Sequence, residues 1–199
     1  MARWEPNTRG RLIESALDLF EQHGYDNTSV EQIADRAGVT KTTFFRQFVD
    51  KRDVLSAGQE EHSVVMAEAI ESSSPGASPL DAVEAAVRAL ADTFPNTRRA
   101  FAARVHAVTS SNDELSERAG LKFAGYVDAV RQALIARGVA ESTAAVAAHL
   151  GLLAFSTAFD RWTGSDHDAS LTELVSDAIR DVHAASQTLD VSPSTDLKE

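Results

Sequence analysis

The side chains best suited to bind an anion in this sequence are basic residues near the end of its first quarter. Within seventeen positions lie Arg36, Lys41, Arg46, Lys51 and Arg52. Asp50 is the one acidic residue in that window, whose net charge is therefore +4. Lysine and arginine neutralise phosphates, and the release of counterions drives the sequence-independent part of DNA binding. A solvated surface would explain the same charges, so charge alone leaves both interpretations open.

The overall charge argues against a nucleic-acid partner, because the 199 residues carry a formal net charge of −11 and phosphate repels an acidic protein. The charges are unevenly distributed, however. Residues 1–52 contain eight basic and eight acidic residues, whereas residues 53–199 contain eleven and twenty-two. Repulsion should therefore discourage every approach to DNA except one led by the basic window.

Other kinds of chemistry find no support in the sequence. It contains no cysteine, which excludes a disulfide framework, a thiolate metal site and a cysteine nucleophile. It also lacks phosphate-binding glycine loops, paired-histidine zinc helices and the G-x-S-x-G turn of hydrolases. Asp166, His167 and Asp168 are of types that bind metals, but they follow Gly164 in a predicted solvent loop. We therefore expect no enzymatic activity, no cofactor and no bound metal.

The sequence also argues against a secreted or membrane protein. Residues Met1 to Pro6 are polar and run directly into a helical pattern, so we expect no secretory signal. The longest apolar stretch, Ala144 to Phe159, is shorter than the roughly 20 residues that cross a membrane. We interpret it as a buried helix and expect a cytoplasmic protein without membrane contact.

The spacing of apolar residues places the basic window on short helices. Apolar positions from Leu12 to Phe20 recur at helical spacing and predict a first helix that ends at Gly24. Thr28 and Glu31 then form a capping-box pattern that opens a second helix.

The second helix is predicted to end at Gly38, and a third begins near Thr40 and covers Lys41 to Phe48. Two short helices across a tight glycine-containing turn, braced by another helix, form the layout of a helix-turn-helix.

The remainder of the chain is predicted to be helical as well. Asp50 caps a fourth helix from about Lys51 to Glu71, and the Ser, Pro and Gly residues of 72–79 then break the chain. Capping patterns open later helices at Ser78 with Asp81, Ser111 with Glu114 and Ser170 with Glu173. We predict an all-α fold of about nine helices: a helix-turn-helix domain over 6–52 with its recognition helix at about 40–47, a connector helix over 53–71, a helical domain over 79–186 and a flexible tail over 187–199.

Thr8 to Leu55 closely resembles the DNA-binding domain of the tetracycline-repressor (TetR) family of bacterial transcriptional regulators. Gly24-Tyr25, Ala37-Gly38-Val39, Lys41 and Lys51 stand in register with the family's pattern. The resemblance implies a homodimer whose small domains bind a palindromic operator in double-stranded DNA. It also implies a helical C-terminal domain for dimerisation and for a small-molecule effector, whose identity it does not specify.

Carried over by position, the resemblance implies a set of DNA-binding residues: Thr28, Ser29, Thr40, Lys41, Thr42, Thr43, Phe45, Gln47 and Lys51. Thr28 or Ser29 would meet a phosphate, and residues 40–43 would open the recognition helix in the major groove. Lys51 would meet the DNA backbone. Phe45 stands where the family usually has a phosphate-binding tyrosine, and Gln47 where it usually has histidine. Without a hydroxyl, Phe45 is left to pack on a sugar or a thymine methyl.

The effector would be bound by aromatic and polar side chains on otherwise apolar faces of helices five to eight. These candidates are Phe94, Phe101, Arg104, His106, Phe123, Tyr126, His149, Phe155, Phe159 and Trp162. Any single aromatic residue at helical spacing is equally explained as core. Arg104, with Arg98 and Arg99, would suit an anionic ligand or a solvated face.

The dimer interface is predicted on the last two helices, because helix eight is apolar nearly all round and must be covered on both sides. Small residues on helix eight and an apolar stripe on helix nine suit the four-helix dimer interface that the resemblance to the TetR family implies for the last two helices. The candidates are Ala147, Gly151, Ala154, Ala158, Leu171, Leu174, Val175, Ile179 and Val182.

The resemblance, together with the basic window, leads us to expect a repressor that binds a palindromic operator as a homodimer and is released by a small molecule. Two alternatives stay open: a transcriptional activator of the same family, and a helical ligand-binding or enzymatic protein whose helix-turn-helix is vestigial.

Overall fold

The computed structural model describes residues 7–55, 59–164 and 168–188, and within these ranges every long element is an α-helix. The predicted all-α fold of about nine helices is confirmed, since nine α-helices lie in the described residues. The helices are α1 (Thr8–His23), α2 (Val30–Arg36), α3 (Lys41–Phe45), α4 (Gln59–Glu71), α5 (Pro79–Asp92), α6 (Arg99–Ser110), α7 (Asp113–Ala136), α8 (Glu141–Gly164) and α9 (Leu171–Thr188).

Two of the predicted helix ends depend on glycine. Gly24 follows α1 with φ of 80°, and Gly38 lies in the turn between α2 and α3 with φ of 68°. An L-residue with a side chain is strained in this left-handed region, so glycine allows each helix to stop sharply. The Gly38 turn sets the short spacing between α2 and α3.

The capping pattern at the start of α2 is shifted by one residue from the prediction. Ser29 is the cap: its hydroxyl accepts from the Gln32 amide, and the Gln32 side chain accepts from the Ser29 amide at 2.7 Å. The Thr28 hydroxyl instead donates to the Gly24 carbonyl at 2.9 Å. Thr28 is thereby drawn inward, so the predicted pair of Thr28 with Glu31 was wrong.

Of the later predicted helix caps, those of α5 and α9 are present and that of α7 is not. Ser78 with Asp81 and Ser170 with Glu173 form the predicted reciprocal bonds at the starts of α5 and α9. At α7 the prediction was wrong, because the Asn112 side chain accepts from the Leu115 amide. The Ser111 hydroxyl donates backwards to the Val108 carbonyl at the end of α6.

The predicted helix from Lys51 to Glu71 is not a single α-helix. Arg52–Leu55 is a 3-10 turn, capped by the Asp50 carboxylate, which accepts from the Asp53 amide at 3.0 Å. The α-helix begins at Gln59, and residues 56–58 lie outside the described ranges.

At the other end, α9 continues to Thr188, so residues 187 and 188, which were predicted to lie in the flexible tail, belong to this helix. Residues 189–199, and Asp166 and His167 of the possible metal cluster, lie outside the described residues.

The chain forms two compact units. The first contains α1, α2, α3, the start of α4, α6 and the larger part of α7, and the second contains the rest of α4 and α7 with α5, α8 and α9. The chain passes between them at Val64 and Val65 within α4, before Thr97, and after Asp128 within α7. The connection therefore includes α7 as well as the predicted helix α4.

The core of the first unit explains how the helix-turn-helix is held. Leu12, Leu17 and Phe20 of α1 are buried with Ile33 of α2 and Phe44 of α3 in one apolar cluster. The short helices α2 and α3 therefore depend on tertiary packing, since isolated helices of their length are unstable in water.

In the second unit, α8 packs against α5 and α9. By length and composition α8 could cross a membrane. Ala144, Leu152, Ala158 and Trp162 on one of its faces are nevertheless fully buried within the unit, as expected for the predicted core helix.

Candidate nucleic-acid interface

The turn between α2 and α3 places the start of α3 at the protein surface. The Val39 amide donates to the Ala34 carbonyl at 2.9 Å, which closes the turn against α2. Thr40 caps α3, and its hydroxyl oxygen accepts from the Thr43 amide at 3.2 Å. A hydroxyl cap of this kind satisfies an amide that would otherwise lack a partner.

One face of α3 and of the residue that follows it is exposed. We call this face the α3 strip; its members are Lys41, Thr42, Phe45 and Arg46. They recur at i, i+1, i+4 and i+5, which is one side of a helix. Three of them belong to the predicted DNA-binding set, and Arg46 is an addition that the spacing of four from Thr42 already indicates.

The other predicted residues of this segment are placed differently. Thr43 and Gln47 are half-buried, on the side of Phe44 and Phe48, which belong to the core. The hydroxyl groups of Thr40 and Thr43 lie 3.0 Å apart and share a hydrogen bond. These two threonines therefore shape the start of α3 as well as being candidates for DNA contact.

The two candidates for a phosphate contact before α2 differ in exposure. Thr28 is buried, with 3% of its surface exposed, and its hydroxyl donates a hydrogen bond to the Gly24 carbonyl oxygen. Ser29 is exposed and caps α2. Of the pair, Ser29 is thus the residue with an accessible side chain.

Cations of the basic window have carboxylate neighbours, among them Asp18 and Glu31 from outside the window. Arg36 contacts Asp18 at 2.8 Å, and Arg52 contacts Asp50 at 2.7 Å. Lys41 is ion-paired with Glu31, which lowers the pKa of the Glu31 carboxyl. The field of this surface is consequently weaker than a count of +4 suggests.

Lys51 is tied to the turn before α2. Its ammonium donates to the carbonyl oxygens of Tyr25 at 2.7 Å and Thr28 at 3.0 Å, and it lies 3.9 Å from the centroid of the Tyr25 ring. Burial lowers the pKa of Lys51. The resemblance implied a DNA-backbone contact for this residue, whereas here its donors face the protein.

The ten candidates for effector binding are divided between the two units. Phe101, Arg104, His106, Phe123 and Tyr126 belong to the first, and Phe94, His149, Phe155, Phe159 and Trp162 to the second. The structure therefore does not bring the whole set together within one unit.

Four of the second group form a ring cluster. Phe94 lies with its centroid 5.6 Å from that of Phe159 and 6.3 Å from that of Phe155. Trp162 is fully buried and donates to the Asn96 side chain at 3.1 Å. The fifth, His149, is exposed, and its Nδ1 lies 2.8 Å from the Ala145 carbonyl oxygen. We call Phe94, Phe155, Phe159 and Trp162 the ring cluster. These four predicted effector residues lie next to one another.

Arg104 and Phe101 make contacts within the first unit. Arg104 contacts Asp18 at 2.8 Å and Glu21 at 2.5 Å, both on α1. Phe101 packs on the core of the helix-turn-helix domain. Arg104, which was predicted to bind the effector, thus has a guanidinium that bridges two carboxylates of α1 in this structure. The acidic face of α1 was visible in the sequence, but its partner was not.

Three polar side chains of the first unit, His62, Lys122 and Tyr126, form a group that the sequence patterns did not predict. The His62 Nδ1 lies 2.8 Å from the Tyr126 hydroxyl, and the Lys122 ammonium lies 5.7 Å from the Tyr126 ring centroid. Burial lowers the pKa of His62 and of Lys122 and raises that of Tyr126. Only Tyr126 was among the predicted residues; a lone histidine inside a predicted connector helix was the available signal for His62.

The small residues predicted for a dimer interface are covered by their own unit. Ala154 and Ala158 are fully buried. At Gly151, an added Cβ would lie 2.0 Å from Val83 Cγ1 of α5. Also buried are Ala147, Leu171, Val175 and Ile179, while Leu174 and Val182 are half-buried. Within this chain the small residues of α8 therefore allow close packing of α5.

The large apolar residues of α8 that are exposed lie on a different face of the helix. Val146 is 60% exposed and Leu153 52%, and Leu150 between them is half-buried. Spacings of four and three place these residues on one face. We call Val146, Leu150 and Leu153 the outer face of α8.

Comparison with known sequences identifies the first part of the chain. Residues 12–57 match the family described as bacterial regulatory proteins, tetR family. The transcriptional regulator TcmR of Streptomyces glaucescens is 40% identical over 83 residues, which are 42% of this chain and 37% of TcmR. The chain thus spans little more than a third of the length of this relative.

Solved structures resemble the chain over nearly its whole length. A protein of Syntrophomonas wolfei assigned to the TetR family has a TM-score of 0.62 at 19% identity and covers 92% of this chain and 97% of its own. The regulator FadR of Bacillus subtilis, in complex with stearoyl-CoA, has a TM-score of 0.58 at 19% identity. The match covers 87% of this chain and 96% of the FadR chain. The helix-turn-helix segment at residues 12–57 therefore belongs to the tetR family of bacterial regulatory proteins, and the fold of the chain is similar to that of solved TetR-family structures.

Proposed function

We propose that this protein is a repressor that binds a palindromic DNA operator and is released by a small-molecule effector. The observation that carries the proposal is the α3 strip, in which two cations, a threonine and an aromatic ring are exposed on the second helix of a helix-turn-helix. In such domains this helix enters the major groove, where its side chains meet base edges. Because the acidic residues lie mainly beyond residue 52, the strip leads the approach to DNA.

The proposed repressor is a homodimer, because a palindromic site requires two copies of the strip about 34–36 Å apart. The outer face of α8 supports this part of the proposal. Exposed leucine and valine side chains in a row favour burial against an identical face, as in a symmetric interface. The hydrophobic gain of such burial is about 25 cal/mol per Å².

For the effector, we propose a site at the ring cluster, because aromatic and apolar side chains are the kind that line ligand sites. FadR of Bacillus subtilis binds stearoyl-CoA, so acyl-CoA esters are the first compounds to test. To induce release, the effector must prefer the conformation that does not bind DNA. A 100-fold preference supplies about 2.7 kcal/mol of coupling. We propose that α4 carries this change, together with α7, since both helices belong to the two units.

The test of DNA binding is a gel shift with the region upstream of the protein's own gene, repeated over a range of salt concentrations. We expect a complex whose affinity falls steeply with salt. Arg46→Ala should weaken it, whereas Arg88→Ala, which removes an exposed arginine of α5, should not. Absence of any salt-sensitive complex would exclude the repressor and favour a vestigial helix-turn-helix.

A second experiment separates a repressor from an activator of the same family. The operator is placed before a reporter gene, and transcription is measured with and without the protein. We expect transcription to fall when the protein is present and to recover when the effector is added. A rise on addition of the protein would favour the activator.

A further inference from the structure

We propose that Phe45 recognises the 5-methyl group of a thymine in each half-site of the operator, an inference that rests on the proposed function. Phe45 is the large apolar member of the α3 strip and is 47% exposed. Its neighbours Lys41, Thr42 and Arg46 carry ammonium, hydroxyl and guanidinium groups, which hydrogen-bond to phosphates and polar base atoms. The phenyl ring has a different recognition chemistry from theirs.

The Phe45 ring packs on neighbouring side chains in the free protein. It meets Phe44 edge to face, with centroids 5.4 Å apart and an interplanar angle of 84°. Phe44 is itself fully buried and lies 5.5 Å from Phe48 in the core. The Lys41 ammonium lies 5.9 Å from the Phe45 centroid and is ion-paired with Glu31. A ring supported in this way loses little side-chain freedom when it contacts DNA.

Chemistry narrows what this ring can recognise. A phenyl ring neither donates nor accepts a conventional hydrogen bond, so placing it on a phosphate oxygen or a polar base edge removes water without replacing its hydrogen bonds. In the major groove, the apolar group that distinguishes one base from the others is the thymine methyl. Sugar contacts bury apolar surface too, but they carry no sequence information.

Thr42 extends the same apolar surface. It precedes Phe45 by three residues and therefore lies beside it on the helix face. Its side chain is exposed and offers a methyl group next to its hydroxyl. Phe45 and the Thr42 methyl together form an apolar spot between the two cations of the strip, which suits a methyl group flanked by phosphates.

The experiment uses the full chain and synthetic DNA. An operator is first selected from a library of duplexes with a randomised palindromic half-site, and each thymine is then replaced singly by deoxyuridine, which lacks the methyl. Dissociation constants are measured by fluorescence anisotropy. We expect one position per half-site at which the replacement weakens binding about fourfold, as for one lost buried methyl group. Replacement in both half-sites should weaken it about fifteenfold.

Variants assign the effect to a residue. Phe45→Ala should bind the thymine and deoxyuridine operators equally, and as weakly as the unaltered protein binds deoxyuridine. Thr42→Ser, which keeps the hydroxyl and loses the methyl, should retain most of the difference. If the unaltered protein treats thymine and deoxyuridine alike at every position, or if Phe45→Ala still discriminates, the inference about Phe45 is overturned while DNA binding stands. If the library yields no salt-sensitive complex, the proposed function fails as well.

Discussion

The ammonium of Lys51 lies over the ring of Tyr25, 3.9 Å from its centroid, and donates to the Tyr25 carbonyl oxygen at 2.7 Å. A third contact, to the Thr28 carbonyl at 3.0 Å, ties the same ammonium to the residue before the cap of α2. The segment after α3 is thereby attached to the turn before α2. Ser29 and α3 both belong to the candidate interface. Lys51 therefore helps to position this surface through its bonds to the turn before α2.

The first prediction concerns this attachment. Lys51→Met keeps the side-chain length and removes the ammonium, so it should lower the free energy of unfolding by about 2 kcal/mol in urea denaturation. It should also weaken binding to all DNA sequences alike. Because the ammonium faces carbonyl oxygens, the slope of log Kobs against log salt should change by much less than the 0.9 expected for one lost phosphate contact.

Arg46→Ala is the matched comparison, because Arg46 is exposed on the α3 strip. This variant should reduce the salt slope by about 0.9 while leaving the free energy of unfolding nearly unchanged. An equal loss of slope in both variants would mean that Lys51 leaves its carbonyl partners and contacts phosphate in the complex.

The second prediction follows from Asp18, which contacts both Arg104 and Arg36 at 2.8 Å. The hydrogen bond from Arg104, and after it the bond from Arg36, lowers the pKa of Asp18 below its ordinary value of 3.8. A carboxylate with a lowered folded-state pKa stabilises the fold above the unfolded pKa, and that stability is lost as pH falls through the folded-state value.

Urea denaturation of the unaltered protein should therefore show a loss of stability below about pH 4 to which Asp18 contributes. In Asp18→Asn this contribution should be absent, and the difference at neutral pH should be roughly 1 kcal/mol because the group is about a third exposed. Arg104→Gln should remove the larger part of the same difference. Parallel pH profiles for Asp18→Asn and the unaltered protein would rule out this role.

Local sequence patterns predicted most of the helices, but they predicted fewer of the contacts that each helix makes with other helices. Gly24 and Gly38 were correctly identified as helix ends because the left-handed backbone is a local requirement that glycine meets. At Thr28 and Ser29, two adjacent residues could each cap α2, and only the packing of Thr28 against α1 decides between them.

Sequence patterns were weakest for the contacts between helices. The helical spacing of Arg104 shows that it lies on α6, but nothing in that spacing reveals that α1 places Asp18 and Glu21 opposite it. For the same reason Gly151 was assigned to a dimer interface, although α5 of the same chain covers it. Periodicity identifies a face and leaves open which element packs on it.

The third prediction tests how closely α5 and α8 pack. In Gly151→Ala the new Cβ would lie 2.0 Å from Val83 Cγ1, and valine in a helix has little rotamer freedom to move away. We expect the free energy of unfolding to fall by about 1–3 kcal/mol, as for other overpacked cores. Gly120→Ala, where an added Cβ meets nothing within 4 Å, should instead stabilise by about 0.5–1 kcal/mol.

The rescue variant is Gly151→Ala combined with Val83→Ala, which removes the clashing methyl groups. If close approach is the cause, the double variant should be more stable than the sum of the two single changes predicts. Additive effects of the two substitutions would show that Gly151 is not required for the packing of α5.

The fourth prediction concerns the outer face of α8. Leu153 is 52% exposed, and in the proposed homodimer it would be buried against the second copy. Leu153→Glu places a charge in that contact, and two like charges meet when the interface is symmetric. We expect analytical ultracentrifugation to show a shift from dimer to monomer with the helical content unchanged. Affinity for a palindromic operator should fall at least tenfold, because two linked recognition helices bind more tightly than one.

Leu121→Glu is the control for that experiment, since Leu121 of α7 is equally apolar and 60% exposed. It adds the same charge at a different surface and should leave both the dimer and the affinity for the operator unchanged. If Leu121→Glu dissociates the dimer and Leu153→Glu does not, the subunits associate through α7, and the outer face of α8 is then exposed in the assembled protein. A half-site duplex, which needs only one copy of α3, should be bound equally by both variants because neither substitution touches the α3 strip.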